Sequence, residues 1–236
     1  MSSTPLVSGD AEGTYGRAFF DKQAQASYRS GAVILRAVFE LVDCGSVVDV
    51  GCGVGPWLRT VQECGIDDYL GIDGDWVPSD RLGIPPDRFL THDLRKPLDL
   101  DRRFDLAVCV EVAEHLPAES SGTLVESLTS LAPVVLFSAA VPDQGGDEHI
   151  NEQWPGYWSR LFARHRYRAH DCIRLPLWAD DRADWWYRQN VLLYVDRNRP
   201  TGRLGEPIEE PPALVHPEMI HAIRTRPAHQ SREPGR

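Results

Sequence analysis

The sequence predicts an α/β domain in which a mostly parallel sheet is covered by helices on both faces. Short apolar runs without strict alternation recur along the chain, the pattern of strands buried on both sides. Stretches with helical spacing separate them. One strand-to-helix junction is glycine-rich, Asp49-Val50-Gly51-Cys52-Gly53-Val54-Gly55, which suits a ligand site at the end of a strand.

Residues 1–14 are small and polar and are expected to form a mobile start. Residues 17–42 carry Phe20, Ala24, Tyr28, Val33, Leu35, Val38, Phe39 and Leu41 near helical spacing, and Gly45 ends that helix. Residues 46–50 form a short apolar strand, and 56–63 a helix with Pro56 in its first turn. Further strands are expected over 69–72, 88–91, 104–110 and 134–138, with a helix over 120–131. After Ala140 the rhythm changes. Residues 141–152 read as a loop, 154–165 as a helix, and 167–173 and 189–195 as two late strands, with an aromatic stretch over 178–187 between them. From Asp196 the composition shifts to Pro, Arg and Glu. Residues 197–236 therefore read as an extended tail with one short helix near 213–224, and a chain ending near Arg199 is expected to keep its melting temperature. The main domain spans 15–196 in this reading.

The chain has 236 residues, 42% hydrophobic and 25% charged, which suits one globular domain with terminal additions. Its formal net charge of −10 argues against nucleic acid or an anionic membrane as partner. Five cysteines, Cys44, Cys52, Cys64, Cys109 and Cys172, form no CxxC pair and read as free thiols in a reducing compartment. The start lacks the pattern of a signal peptide, and no apolar run approaches the roughly 20 residues that cross a bilayer. A cytoplasmic location is expected. Self-association into a homo-oligomer is left open.

Glycines in the 51–55 loop let the backbone turn sharply and approach a ligand closely, and the following helix offers free N–H groups. Asp49 at the loop's head can accept from a ligand's amino group. Asp73 ends the next strand, about 20 residues on, where a carboxylate suits a ribose diol. Asp93 follows the third strand, where it can meet an adenine amino group. A dinucleotide is disfavoured: the third glycine of that fingerprint is replaced by Pro56, and a leading aspartate would repel a pyrophosphate but attract an ammonium group.

VVDVGCGVGPWL resembles the first motif of Rossmann-like, class I, S-adenosylmethionine-dependent methyltransferases. YLGIDGDW, THDL and FDLAVCVEVAEHLP resemble their later motifs in the expected order, so that the resemblance covers roughly 25–195. It implies a three-layer sandwich around a seven-stranded sheet whose last strand is antiparallel. It also implies a cofactor-lining set of Asp49, Gly51, Cys52, Gly53, Gly55, Trp57, Asp73, Gly74, Asp93, Leu94 and Glu111. FSAAVPDQGGDEHINEQWPGYW is similar to a bacterial subgroup found beside sugar and secondary-metabolite genes.

Three candidate chemical sites follow. If the chain turns helical after the fourth strand, Glu111, Glu114 and His115 share a face and, with His149, could hold Mg²⁺, Mn²⁺ or Zn²⁺. The pattern is similar to metal-bearing motifs of small-RNA 2′-O-methyltransferases and ubiquinone-pathway O-methyltransferases, but related enzymes carry EVxEHL without metal. The second site is the segment His149-Ile150-Asn151-Glu152-Gln153-Trp154. There His149 is a natural proton acceptor for a hydroxyl, and capping of the next helix is the plainer role. The third is Trp178, Trp185, Trp186 and Tyr187, either a pocket wall or core. Tyr15 and Tyr28 are placed to lid the cofactor.

The function expected from the sequence is methyl transfer from S-adenosylmethionine to a small-molecule hydroxyl of a sugar or natural product, with His149 as base and Glu111 near the reacting atoms. An RNA or protein methyltransferase and a non-catalytic cofactor-binding partner subunit are the alternatives.

Overall fold

The computed structural model describes residues 17–226. Its elements, in chain order, are α1 (Arg17–Leu41), β1 (Ser46–Val50), α2 (Pro56–Glu63), β2 (Asp68–Asp73), β3 (Phe89–Thr91), β4 (Leu106–Val110), α3 (Ser121–Leu131), β5 (Val134–Ser138), α4 (Pro155–Arg164), β6 (Tyr167–His170), α5 (Arg174–Leu177), α6 (Trp185–Asn190), β7 (Leu192–Asp196) and α7 (Pro217–Thr225). One seven-stranded sheet runs in the order β3-β2-β1-β4-β5-β7-β6. β1 pairs in parallel with β2 and β4, and β4 with β5. β7, the last strand, lies antiparallel between β5 and β6.

The two faces of the sheet are sorted by the period of two along each strand. Val47, Leu106, Val108, Leu136 and Leu193 point to the side of α1 and α2, where Ile34, Leu35, Val38, Leu58 and Val61 meet them. Val48, Val50, Ala107, Cys109, Val135 and Phe137 point to the side of α3 and α4, against Leu124, Leu128, Trp158 and Phe162. All five residues of β5 are buried, which is why these strands read as continuous apolar runs. The strand order turns around between β1 and β4, so a crevice opens at the carboxyl ends of those two strands, where α/β sheets hold ligands.

Several elements differ from expectation. The run from Glu111 does not continue as an α-helix: Glu111 takes a left-handed conformation (φ 52) and a single 3-10 turn covers Ala113–His115. The aromatic stretch ends in α6, which takes in Gln189 and Asn190, so β7 begins later than the periodicity suggests. β6 ends at His170, where the chain turns into the short α5. Over its described part, the segment after β7 is not an extended tail. Ile208 bridges antiparallel to Ala169 on the sheet's edge strand, and Leu204 and Met219 are buried. His216 caps α7 by accepting from the Glu218 N–H, and its own backbone N–H donates to Gln189 at 2.7 Å. The expected mobile start, 1–14, lies outside the described residues. Among the described residues no helix is long and apolar enough to cross a membrane.

The burial of Met219 gives a direct measure of how firmly this segment is docked. Met219→Ala is expected to cost about 2–5 kcal/mol, a fall of roughly 5–15 °C in Tm. An unchanged melting curve would mean that α7 contributes nothing to the fold, as the composition alone suggests.

Candidate active site

The loop after β1 is folded by three glycines in left-handed conformations, Gly51 (φ 85), Gly53 (φ 54) and Gly55 (φ 88). Gly51 is closed in as well: a Cβ there would stand 2.3 Å from the Val112 side chain, in the loop that follows β4. Its backbone N–H donates to Ile72 at 2.7 Å, which pulls the β1 and β2 ends together. Gly53 has open space where a Cβ would stand. Gly55 caps α2, and Pro56 occupies the helix's first turn, where its missing N–H costs nothing.

Two buried carboxylates flank this loop. Asp73 accepts from the backbone N–H of Gly53 and of Gly74, each at 2.7 Å. Burial pushes its carboxyl up, and those two hydrogen bonds oppose the rise. Asp49 is 3% exposed, and its carboxylate has no hydrogen-bond partner among the described residues. Burial, and then the neighbouring charge of Asp73, push the Asp49 carboxyl up to about 8. Asp93 is in a different condition. Arg95 grips it with two side-chain bonds, at 2.8 and 3.0 Å, which hold its carboxyl well below the usual range. Cys52 is buried within the loop and Trp57 within α2, and Leu94 belongs to the core on the α3 side. The Trp76 ring lies across Gly74 and is 64% exposed.

Beyond β4 lies a second cluster. The Glu111 carboxylate accepts from the side-chain amides of Gln144 at 2.9 Å and Asn190 at 3.1 Å. Burial pushes it up, against those hydrogen bonds. Glu114 is fully buried, and among the described residues no donor meets either of its carboxyl oxygens in hydrogen-bond geometry; the Glu111 carboxyl is its neighbour. Burial and the adjacent Glu111 push it well above its ordinary range. Ligand atoms of Glu114, His115 and His149 all lie within 4.8 Å of one another, and the two imidazoles meet edge to face with centroids 4.9 Å apart. Glu111 stands outside this trio, since the left-handed turn breaks the shared helix face that would have aligned it. His149 Nδ1 is 3.1 Å from the Glu152 carboxylate, which also accepts from the N–H of Asp143 and of Gly145. Asp143 and Glu148 both take positive φ, so the loop is folded tightly around that carboxylate.

Residues 20–189 match the family model described as a methyltransferase domain. The chain belongs to the Rossmann-like, S-adenosylmethionine-dependent methyltransferases. No curated protein matches its sequence. Its structure is similar to the sugar N-methyltransferase KedS8 of Streptoalloteichus sp. ATCC 53650, at 16% identity and a TM-score of 0.61 over 84% of this chain and 98% of that one. It is similar to DesVI of Streptomyces venezuelae, at 15% identity and a TM-score of 0.57 over 75% and 96% of the two chains. The amino pentose methyltransferase CalS10 of Micromonospora echinaspora gives 15% identity and a TM-score of 0.55 over 78% and 98%. At these identities the likeness shows the fold.

In this methyltransferase, Asp49, Gly51, Gly53, Asp73, Gly74 and Glu111 lie at the carboxyl ends of β1, β2 and β4. Asp93 is tied into its own turn, and Leu94 faces the core. The aromatic set does not form one wall. Tyr187 is buried against Trp57, with centroids 5.4 Å apart, while Trp178 packs at a tilt against His216. Tyr28 donates to Glu63 at the far end of α2, away from the glycine loop, and Tyr15 lies outside the described residues. Sequence reasoning missed Gln144, Asn190 and Trp76. Trp76 stands three residues after Asp73, a spacing that could have found it; the two amides carry no local signal.

Proposed function

We propose that this methyltransferase binds S-adenosylmethionine across the 51–55 loop and passes its methyl group to a hydroxyl of a small molecule, a sugar or another natural product. One observation carries the reading. Two carboxylates are buried at the turn-around point of the sheet, Asp73 aimed by two backbone amides and Asp49 without a hydrogen-bond partner among the described residues. A ribose diol can donate to Asp73 through the lone pairs left beside those amides. The ammonium group of the methionine moiety supplies the cation that a buried carboxylate lacks. Arg95 already fills the bonding positions of Asp93, so the adenine is assigned to the exposed ring of Trp76.

The transfer is an in-line displacement. The acceptor oxygen forms a bond to the methyl carbon while the bond from that carbon to sulfur breaks, and the bonding pair leaves as the thioether sulfur of S-adenosylhomocysteine. The proton of the hydroxyl passes to His149, whose other ring nitrogen is oriented by Glu152. The sugar reading is supported by the acceptors named for KedS8 and CalS10.

A second reading rests on Glu114, His115 and His149. A fully buried carboxyl that accepts no hydrogen bond among the described residues, beside two imidazoles, fits a divalent cation. Such an ion would lower the pKa of an oxygen bound to it. In that case His149 would serve as a ligand, and the hydroxyl would lose its proton without a separate base.

One measurement tests the cofactor assignment that both readings share, and a second separates them. Asp73→Ala is expected to weaken S-adenosylmethionine binding roughly tenfold or more with the fold intact, since a charge-assisted hydrogen-bond acceptor is worth about 1.5–3 kcal/mol. Unchanged affinity by calorimetry would remove the basis of the cofactor assignment. In a methyl-donor assay across sugars, nucleotide sugars and phenols, His149→Ala is expected to cost about 10²–10⁴-fold while a chelator leaves the wild type active. Activity lost to the chelator and restored by Mg²⁺ or Mn²⁺ would replace the base with the metal, and full activity in His149→Ala would sink both.

A further inference from the structure

Glu111 is a glutamate in a conformation that favours glycine, and its surroundings hold it there. Its backbone N–H donates to both the carbonyl oxygen and Oγ of Ser138, each at 3.1 Å. Each carboxylate oxygen then receives one amide: Oε2 from Gln144 Nε2, and Oε1 from Asn190 Nδ2. The two amides are bonded to one another, Asn190 Nδ2 donating to Gln144 Oε1 at 2.8 Å. Gln189 joins them, its Nε2 donating to Asn190 Oδ1 at 3.0 Å. All three amides are at least nine-tenths buried.

The segment after β7 fastens this network from outside. The backbone N–H of His216 donates to Gln189 Oε1 at 2.7 Å, and the Arg226 guanidinium donates to the backbone carbonyl of Gln144 at 2.7 Å. Three elements distant in sequence thus meet on one carboxylate: the turn after β4, the loop after β5 and the end of α6. An arginine in the place of these amides would fix the carboxylate but also cancel its charge. Neutral amides fix its plane and bring no positive charge of their own, which is what a carboxylate that is to face a cation requires.

We propose that Gln144 and Asn190 are positioning residues that aim the Glu111 carboxylate at the sulfonium of the methyl donor, and that the segment after β7 locks them. This rests on the binding mode proposed above. Neither amide touches the cofactor; they act through Glu111.

The test compares S-adenosylmethionine, which carries the sulfonium charge, with S-adenosylhomocysteine, which does not. Calorimetric affinities for both are measured with the wild type, Glu111→Gln, Asn190→Leu, Gln144→Met and the double variant Glu111→Gln/Asn190→Leu. In Glu111→Gln the ratio of the two affinities is expected to shift toward the uncharged ligand roughly tenfold, the loss of one nearby charge. Asn190→Leu and Gln144→Met should each reproduce most of that shift, and the double variant should add nothing to Glu111→Gln. A merely structural role would weaken both ligands alike and leave the ratio unmoved. If Glu111→Gln shifts the ratio and whichever amide variant folds does not, the positioning role is overturned while the binding mode stands. If Glu111→Gln leaves the ratio as it was, Glu111 does not face the sulfonium and the positioning role is overturned while the binding mode stands. If the wild type binds neither ligand, the binding mode fails and the positioning role with it.

Discussion

Two carboxylates share the buried ends of β1 and β2, and the site is organised by the need to accommodate their charge. Two negative groups in a low-dielectric crevice cannot both ionise without compensation. The fold compensates one of them itself. Asp73 draws two backbone amides, from Gly53 and Gly74, and those same bonds set the path of the glycine loop. The Asp49 carboxylate has no hydrogen-bond partner among the described residues and is held up to about 8, so at neutral pH the free protein keeps it protonated. The glycines follow from this arrangement: Gly51 has no room for a Cβ against Val112, and Gly53 must bring its N–H onto a carboxylate.

The same constraint recurs on the acceptor side with a different solution. Glu111 is buried on neutral amides, Glu114 is buried with no hydrogen-bond donor among the described residues, and Glu152 is wrapped by backbone N–H groups and His149. Three acidic groups in one region, each compensated differently, allow distinct roles in the proposed chemistry: a charge facing the donor, a group able to meet a cation, and an orienting partner for a base.

Much of this was legible in the sequence because it depends on local pattern. The strands could be read from apolar runs, and the loop with its two acids from glycine spacing. What escaped was conformation set by distant partners. Nothing near Glu111 announces a left-handed residue, since its cause lies in Ser138 and in amides from 144 and 190. The aromatic stretch reads by composition as either a pocket wall or core; α6 turns Tyr187 inward as core, and what composition does not show is that the same helix delivers Asn190 to the Glu111 carboxylate. The segment after β7 reads as tail because Pro, Arg and Glu dominate it. Its docking rests on a few buried positions, Leu204, His216 and Met219, too widely spaced to form a periodic signal.

The central claim is that Asp49 receives the ammonium group of S-adenosylmethionine, and proton release on binding tests it most directly. The folded-state pKa of Asp49 is raised from 3.8 to about 8. Between those values the native state holds a proton that the unfolded chain has lost, so this group's contribution to stability falls as pH rises through that window. A bound cation favours the charged form, so binding must expel the proton. Calorimetry near pH 7 in buffers of different ionisation enthalpy should therefore show about one proton released per cofactor bound, with affinity rising with pH until about 8. Asp49→Asn should abolish both effects. Equal heats in every buffer, or the same proton release from Asp49→Asn, would contradict the account.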